Sequence, residues 1–528
     1  MHNLLTDPIL SVQDASGAIQ QLSLPSLLAA LSRGDVKAYP AMRSHHLEPW
    51  HVFTAQLAAS VLARNPQDTL PGEAAYWEAG LRELSHGDEA AWEICVDDLR
   101  RPAFLQHPLK DAQEFDKAFK PKALTPDQLD ILVTAKNHEV KLARVQADDL
   151  QAWVYALVCY QTFSGYSGKG NYGSIRMNSG SGNRPVVSMV KDRSISGRFQ
   201  DEVPRLVAMR PSVVATYRYQ DRGPVLTWLT SWDREASQWD VHALDPYFVE
   251  AVRAVRLLPT QDGKLGAYGA STESRQVGPA QPDNGVLGDP WAPINLENKK
   301  EGGAALTLGE AGWSVGKIVD LLFKDRGLRV TPLQEPQVHT QDLWLLGYAI
   351  ARGNGKTEGL HRLALPVPAK AVRSLFSNKD RESFGEFATK LLADADVVRG
   401  ALRAALFSLA EGGPATVDTK NPHVERWIDK ALKGFQTQYE ALFYPTLWDG
   451  AQPASRESTR TAWVQELVAL ARKTLDDAQK ALPGNTGRGY RAIVTAHSFF
   501  TGQLFKKGLL QASTSATSAT SAKEPTHA

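Results

Sequence analysis

The sequence predicts an α+β protein in which a large mixed α/β N-terminal domain precedes a C-terminal antiparallel four-helix bundle. Three observations carry that expectation. The chain of 528 residues exceeds what one hydrophobic core usually supports. Short strand-like and helical patterns alternate through its first part, and four apolar helical repeats of bundle length follow Pro368. The expected divisions are 1–368 for the mixed domain, 369–512 for the bundle and 513–528 for a disordered tail.

Residues 9–12 read as a strand, with Asp14, Ser16 and Gly17 as its turn and 25–31 as the first helix. From Pro49 onward His51, Phe53, Leu57, Val61 and Leu62 share one helical face, and 74–85, 90–99 and 149–163 read as further helices. The character then changes. Seven glycines fall between Gly165 and Gly197, with 186–190 the clearest strand, so a long irregular loop is expected. Such loops are uncommon in compact domains unless they are functional or disordered. A second irregular region spans 261–303, with Pro279, Pro282, Pro290 and Pro293. Beyond it, 379–411, 423–443, 457–481 and 489–510 are the four bundle helices. The tail from Ser513 repeats Ser, Ala and Thr and holds too little apolar surface to order itself.

Lys+Arg 59 nearly cancels Asp+Glu 58, so net charge neither favours nor excludes nucleic acid. Phosphate contact would have to come from local clustering of basic residues. Cys95 and Cys159 lie in apolar stretches and make neither a zinc knuckle nor a disulfide framework, which fits a reducing cytoplasm. The first seven residues lack a signal-peptide pattern, and no run of about 18 apolar residues suggests a membrane span.

Searching for chemistry yields little that an enzyme could use. Gly353-Asn354-Gly355-Lys356-Thr357 looks like the end of a phosphate loop, but Ile350 stands where the first glycine of that motif is needed. It reads instead as a turn after a strand, whose tip could present Arg352, Asn354 and Lys356 to DNA. His45, His46 and His51 with Glu48 form no single ligand face, because Pro49 breaks the segment, and surface or capping roles are expected. No metalloprotease or nucleophile-elbow motif occurs. Asp148 with Asp149, and Asp394 with Asp396, read as solvated or capping carboxylates. The chain is therefore expected not to be an enzyme and to use no cofactor or metal.

The informative stretch is 164–198, where Lys169, Arg176, Arg184, Lys191, Arg193 and Arg198 face one acid, Asp192. Glycines let backbone approach a ligand, and their amides donate to phosphates or base edges. Asn171, Tyr172, Asn178 and Asn183 add hydrogen-bonding and stacking groups. A flexible, weakly basic surface loop is the alternative. Upstream, Lys136, Asn137, His138, Glu139 and Lys141, with Arg144, make a second basic segment that also reads as a polar connection. Lys430, Lys433, Arg472, Lys473, Arg488 and Arg491 could hold phosphates of a single strand, or simply be solvated helix faces.

Together these features resemble the CasA family, the large subunit of the type I-E CRISPR Cascade. Leu4-Leu5-Thr6-Asp7-Pro8-Ile9-Leu10 is similar to that family's opening Leu-Leu-x-Asp-x-Trp-Ile-Pro-Val, departing at the tryptophan and proline. Ser164-Gly165-Tyr166-Ser167-Gly168-Lys169-Gly170 looks like its Gly-Phe-Gly-Gly-Gly stretch. Asn284-Gly285 and Asp289-Pro290-Trp291-Ala292-Pro293 are similar to its Asn-Gly-Leu-Trp-Pro-His-Pro segment, and Trp313 lies in a similar place before a helix.

The resemblance runs collinearly over nearly the whole chain, and it implies a cytoplasmic antiviral-defence protein. Its partners would be the other Cascade subunits, a guide CRISPR RNA, target double-stranded DNA and a helicase-nuclease effector. The family's role is to recognise the protospacer-adjacent motif, help open the target and recruit the nuclease. By resemblance, Gly165, Gly168, Lys169 and Gly170, with Asn171 beside them, belong to the glycine loop that approaches the motif. Lys136, Asn137, His138 and Lys141 belong to a loop docking near the guide and DNA. The motif-reading cation falls at Arg275, with Lys264 as competitor, and the wedge falls within 352–356, where the family's Asn-Gln pair is missing. A cytoplasmic hydrolase or nuclease with scattered catalytic residues, and an interaction scaffold, are the competing readings.

Overall fold

The structure, a computed structural model, describes residues 2–129, 149–180, 182–278, 284–297, 302–323, 327–336, 339–353, 356–412, 422–480 and 487–510. It is a mixed α/β fold whose chain divides into two compact units, Met1–Val372 and Arg373–Ala528.

In the first unit, strands β1 (Leu10–Gln13) and β2 (Ile19–Leu22) pair antiparallel, Leu10 opposite Leu22. Asp14 closes their turn by accepting from the amides of Ser16 and Ala18. Helix α1 (Leu24–Arg33) begins at Ser23, whose hydroxyl accepts from the Ser26 amide, with proline in its first turn. Helix α2 (Leu47–Arg64) is buried around nearly its whole circumference. Pro49 sits in its first turn, where a missing amide proton costs nothing, and so starts the helix where a break was expected. Helix α3 (Ala74–Leu84) crosses α2 closely at Gly80, where an added Cβ would lie 2.2 Å from Val61 Cγ1.

The helix expected over 90–99 does not form. Only a single 3-10 turn, Glu89–Trp92, appears. The backbone there bonds to the N-terminal segment instead, Ile94 N to His2 O at 2.9 Å and Leu4 N to Trp92 O at 2.9 Å. Helix α4 (Leu150–Thr162) is capped by Asp149, whose side chain accepts from the Ala152 amide.

Residues 165–197 are not one loop. Strand β4 (Val186–Val190) is fully buried, and helix α5 (Ile195–Tyr217) starts at the Ser194 cap, within the stretch read as irregular. Its inward face carries Arg198, Glu202, Arg205 and Arg210 among Phe199, Val203, Leu206 and Val213, so charge masks the apolar spacing.

A smaller sheet centred on Ile294–Asn295 and a parallel pair, Trp239–Asp240 with Val277–Gly278, accompany two longer antiparallel three-stranded sheets in the same unit. One orders Lys120–Ala123, Leu265–Ala270 and Ala254–Pro259. The other orders Lys356–Val367, Leu343–Gly353 and β4, with Leu343 opposite Val367 and Trp344 opposite Val190. Trp50, Trp77, Trp92, Trp153, Trp228 and Trp291 anchor the core, each less than 2 % exposed.

In the second unit, α6 (Arg381–Ala410), α7 (Pro422–Asp449), α8 (Arg456–Lys480) and α9 (Gly487–Lys506) are the long helices. The Trp463 indole on α8 donates to Leu391 O on α6 at 3.0 Å and meets the Tyr439 and Phe443 rings of α7. Asp394, expected to be solvated, is buried under a two-pronged Arg460 contact of 2.8 and 2.9 Å. Among the described residues, no helix is long and apolar enough to cross a membrane.

Candidate functional site

Where α4 ends, the chain enters a tight turn. Ser167 N donates to Asn171 O at 2.9 Å and Asn171 N to Gly168 O at 3.0 Å. Gly168 and Gly170 have φ of 103° and 80°, backbone that side chains rarely adopt, so glycine is required at both. Lys169 stands exposed between them. Tyr166, 40 % exposed, and Tyr172 flank the turn with ring centroids 6.0 Å apart.

Buried groups hold this turn from beneath. Arg253 donates through Nη2 to Gly165 O at 2.7 Å and through Nη1 to Tyr172 O. Thr272 N donates to Gly170 O at 3.1 Å. Glu250 accepts from Ser174 Oγ at 2.6 Å and from Ile175 N at 3.1 Å. Burial pushes the Glu250 carboxyl up and the Arg253 guanidinium down from their ordinary ranges, because both charges are removed from water. Arg275 is half-buried, donates to Ser179 O, and is likewise pushed down by burial. Its competitor, Lys264, is exposed.

Three of the six cations counted in 164–198 are not surface groups. Arg184 is buried and paired with Asp289 at 2.6 Å, and lies over the Phe163 ring. Burial opposes ionisation of Asp289, yet Arg184 and Arg176 outweigh it and hold that carboxyl below its ordinary range. Arg176 is buried against the Phe248 ring and donates to Pro246 O at 3.0 Å. Arg198 is buried between Glu48 and Glu202. Interior carboxylates or carbonyls partner all three, because an unpaired buried charge would cost several kcal/mol, although Arg176 Nη1 and Arg184 Nη2 are buried without an acceptor among the described residues. Lys169, Lys191 and Arg193 remain exposed, the last over the Trp344 ring. Asn183 is buried and pairs with the Leu308 backbone through both ends of its amide.

The histidine trio also turns inward. His45 and His46 are buried, and His51 meets Glu202 at 2.9 Å, which overturns the expected surface roles. Glu202 accepts in addition from the Trp291 indole at 2.7 Å. Among the described residues, no group of three or more histidine, cysteine or acidic side chains is placed to hold a metal.

The remaining candidates are dispersed. Lys136, Asn137, His138 and Lys141 lie outside the described residues, as does Asn354. Arg352 and Lys356 occupy the facing ends of the strands Leu343–Gly353 and Lys356–Val367, beside a register shift at Ala351/Arg352. In the second unit Lys430 and Lys433 are exposed on α7, Arg472 and Lys473 on α8, and Arg491 on α9, which also contains Arg488. Lys430 lines a groove of about 410 Å³ between α7 and α8 together with Trp427 and Gly434.

Sequence reading missed Glu250 and Arg253 as the groups that brace this turn, and Tyr166 as its exposed flank. The available signal was two opposite charges set three apart in the apolar run 247–258, and an aromatic residue beside a glycine turn.

No protein-family model matches the sequence, and no curated protein matches it. Solved structures do. Cse1 from Acidimicrobium ferrooxidans is 13 % identical with a TM-score of 0.62, over 96 % of this chain and 98 % of that one. CasA from Thermus thermophilus is 14 % identical with a TM-score of 0.57, over 96 % and 99 %. A chain of a structure described as a CRISPR RNA-guided surveillance complex is 14 % identical with a TM-score of 0.50, over 94 % and 99 %. The chain thus shares, over nearly its whole length, the fold of Cse1 and CasA proteins, the same family the sequence motifs resemble.

Proposed function

We propose that the chain is the large subunit of a CRISPR RNA-guided surveillance complex, recognising the protospacer-adjacent motif in duplex DNA and helping to open the target. The observation that carries this reading is likeness to Cse1 and CasA folds over 96 % of the chain, joined to a glycine turn that exposes Lys169 where the motif resemblance expects a DNA-contacting loop. In such a complex guide pairing supplies most of the sequence specificity, leaving the protein a short duplex motif to read. A minor-groove reader faces a degenerate code, which suits backbone donors and one long cation.

In this reading residues 1–368 contact the motif, 369–512 act as a four-helix bundle whose Lys430, Lys433, Arg472, Lys473, Arg488 and Arg491 track the displaced strand, and 513–528 are a tail. Lys136, Asn137, His138 and Lys141 dock near the guide, and Arg275, Arg352, Asn354 and Lys356 are further DNA contacts. The partners are the other subunits, the guide RNA, the target duplex and a helicase-nuclease, which performs the cleavage. The chain itself works as a non-catalytic subunit in the cytoplasm, without cofactor or metal.

The test is binding of guide-matched duplexes by the co-expressed complex, with and without this chain, across a library of flanking motifs at fixed salt. Dependence on both chain and motif is expected. Binding indifferent to the chain would refute the role.

A further inference from the structure

A small cavity of about 120 Å³ opens where helices α2 and α5 both begin. Leu47 and Glu48 in the first turn of α2 line it, and so does Ile195, the first residue of α5. The starts of two long helices bring the positive ends of two dipoles to one place. Three guanidiniums join them there from separate parts of the chain: Arg193 just before α5, Arg198 within it and Arg362 on the strand Lys356–Val367.

Arg198 is the buried member. Its Nε donates to Glu202 at 2.7 Å and its Nη1 to Glu48. Burial opposes its charge, yet Glu202 and Glu48 outweigh burial and raise its pKa, so it stays ionised. Its Nη2 finds no acceptor among the described residues and is not sealed in the interior, so this end of the fork faces the cavity. Arg193 and Arg362 are exposed, and among the described residues neither pairs with an acid. Arg193 rests on the Trp344 ring, 4.3 Å from its centroid, an anchor that uses no hydrogen-bond donor. The three guanidiniums meet Glu48 at the cavity and Glu202 behind it, so one positive charge is left over even with His51 neutral.

A ligand for this arrangement is an anion rich in acceptors. A carboxylate is planar and takes one guanidinium fork well, whereas a tetrahedral phosphate offers oxygens in three directions at once. The cavity has the volume of about four waters, at about 30 Å³ each, so a phosphate group fits and anything attached to it stays outside. We propose that Arg193, Arg198 and Arg362, at the shared start of α2 and α5, form a binding site for a phosphate group, either the inorganic ion or the phosphate of a nucleoside monophosphate. The site shares no residue with the glycine turn after α4 and does not depend on the large-subunit reading. Occupancy ties the strand Lys356–Val367 to two helix starts, so the ligand stabilises the first unit.

The test titrates the full-length chain with sodium phosphate and with adenosine monophosphate, at an ionic strength held constant with sodium chloride, and follows calorimetry and thermal unfolding. Saturable binding of phosphate and a rise in Tm are expected. Arg193→Gln and Arg362→Gln, both at exposed positions the fold tolerates, should each weaken phosphate about ten-fold. Glu48→Gln keeps an acceptor for Arg198 but removes the opposing charge, and should tighten phosphate several-fold. Equal binding of phosphate and the monophosphate supports the site with a monoester as its source, and binding of phosphate alone supports it with the free ion. Amide exchange in the first turns of α2 and α5 should slow in phosphate. Absence of saturable phosphate binding would overturn the site, as would an affinity unchanged in both arginine variants. Acetate competing as well as phosphate would make the pocket a carboxylate site and overturn the proposal too.

Discussion

Replacing Arg253 by methionine removes a buried guanidinium that bridges the two flanks of the glycine turn, Gly165 O at 2.7 Å and Tyr172 O. Each charge-assisted hydrogen bond contributes about 1.5–3 kcal/mol, so the two together hold the turn by roughly 3–6 kcal/mol. Part of that is returned, since burial already disfavours the Arg253 charge and an apolar side chain of similar length does not bear that penalty. A net loss of about 2–4 kcal/mol is expected, confined mainly to the loop because the guanidinium spans it. The assay is amide hydrogen exchange. Residues 164–175 should exchange about 30-fold to several hundred-fold faster, at ten-fold per 1.4 kcal/mol. Protection in α6, in the other unit, should be unchanged. Unaltered protection in 164–175, or an equal loss throughout α6, would refute the assignment of Arg253 as the brace of this turn.

Other outcomes follow from the same geometry. Arg184→Ala breaks a buried ion pair and should cost about 3–5 kcal/mol in denaturant unfolding, whereas a surface cation would cost under about 0.5. Gly80→Ala forces a Cβ into Val61 and should destabilise the first unit by about 1–3 kcal/mol, read from the same transition. His107 is buried with its pKa lowered to about 4, first by burial. Because the folded chain binds fewer protons there than the unfolded chain, its contribution is present above about pH 6.5 and is lost as pH falls toward 4. Urea unfolding should show about 2 kcal/mol of that loss between pH 7 and pH 5, and His107→Phe should flatten the dependence. Glu202, held below the ordinary carboxylate range because Arg198 and His51 outweigh its burial, stabilises above about pH 4.5 and loses that contribution as pH falls further. Glu202→Gln should lower stability at pH 7 and shrink the remaining fall below pH 4.5 in the same titration.

Much of the architecture was legible because periodicity is a local property. Helix α1, helix α3 and the long helices of the second unit carry apolar residues at helical spacing, and their observed limits lie within a few residues of those read from the pattern, apart from the C-terminal end of α7. Val186–Val190 reads as a buried strand for the same reason. The segment 90–99 misled because its apolar residues pack as an extended chain against the N-terminus, a partner that no local pattern announces. Helix α5 was masked because charged side chains interleave with its buried apolar ones and Pro204 and Pro211 lie within it.

The sequence alone determined that residues 164–198 combine glycine, amides and positive charge, and that Gly168, Lys169 and Gly170 lie in a glycine-rich loop fit for close approach. Only the tertiary structure decided which charges reach solvent. Arg184 finds Asp289 from 105 residues away and Arg198 finds Glu48 from 150, so half of an apparent basic surface is interior scaffolding. A guanidinium left unpaired in the core is so costly that the fold brings each one a distant acceptor, and a count of charges along the chain carries no information about which acceptor that is.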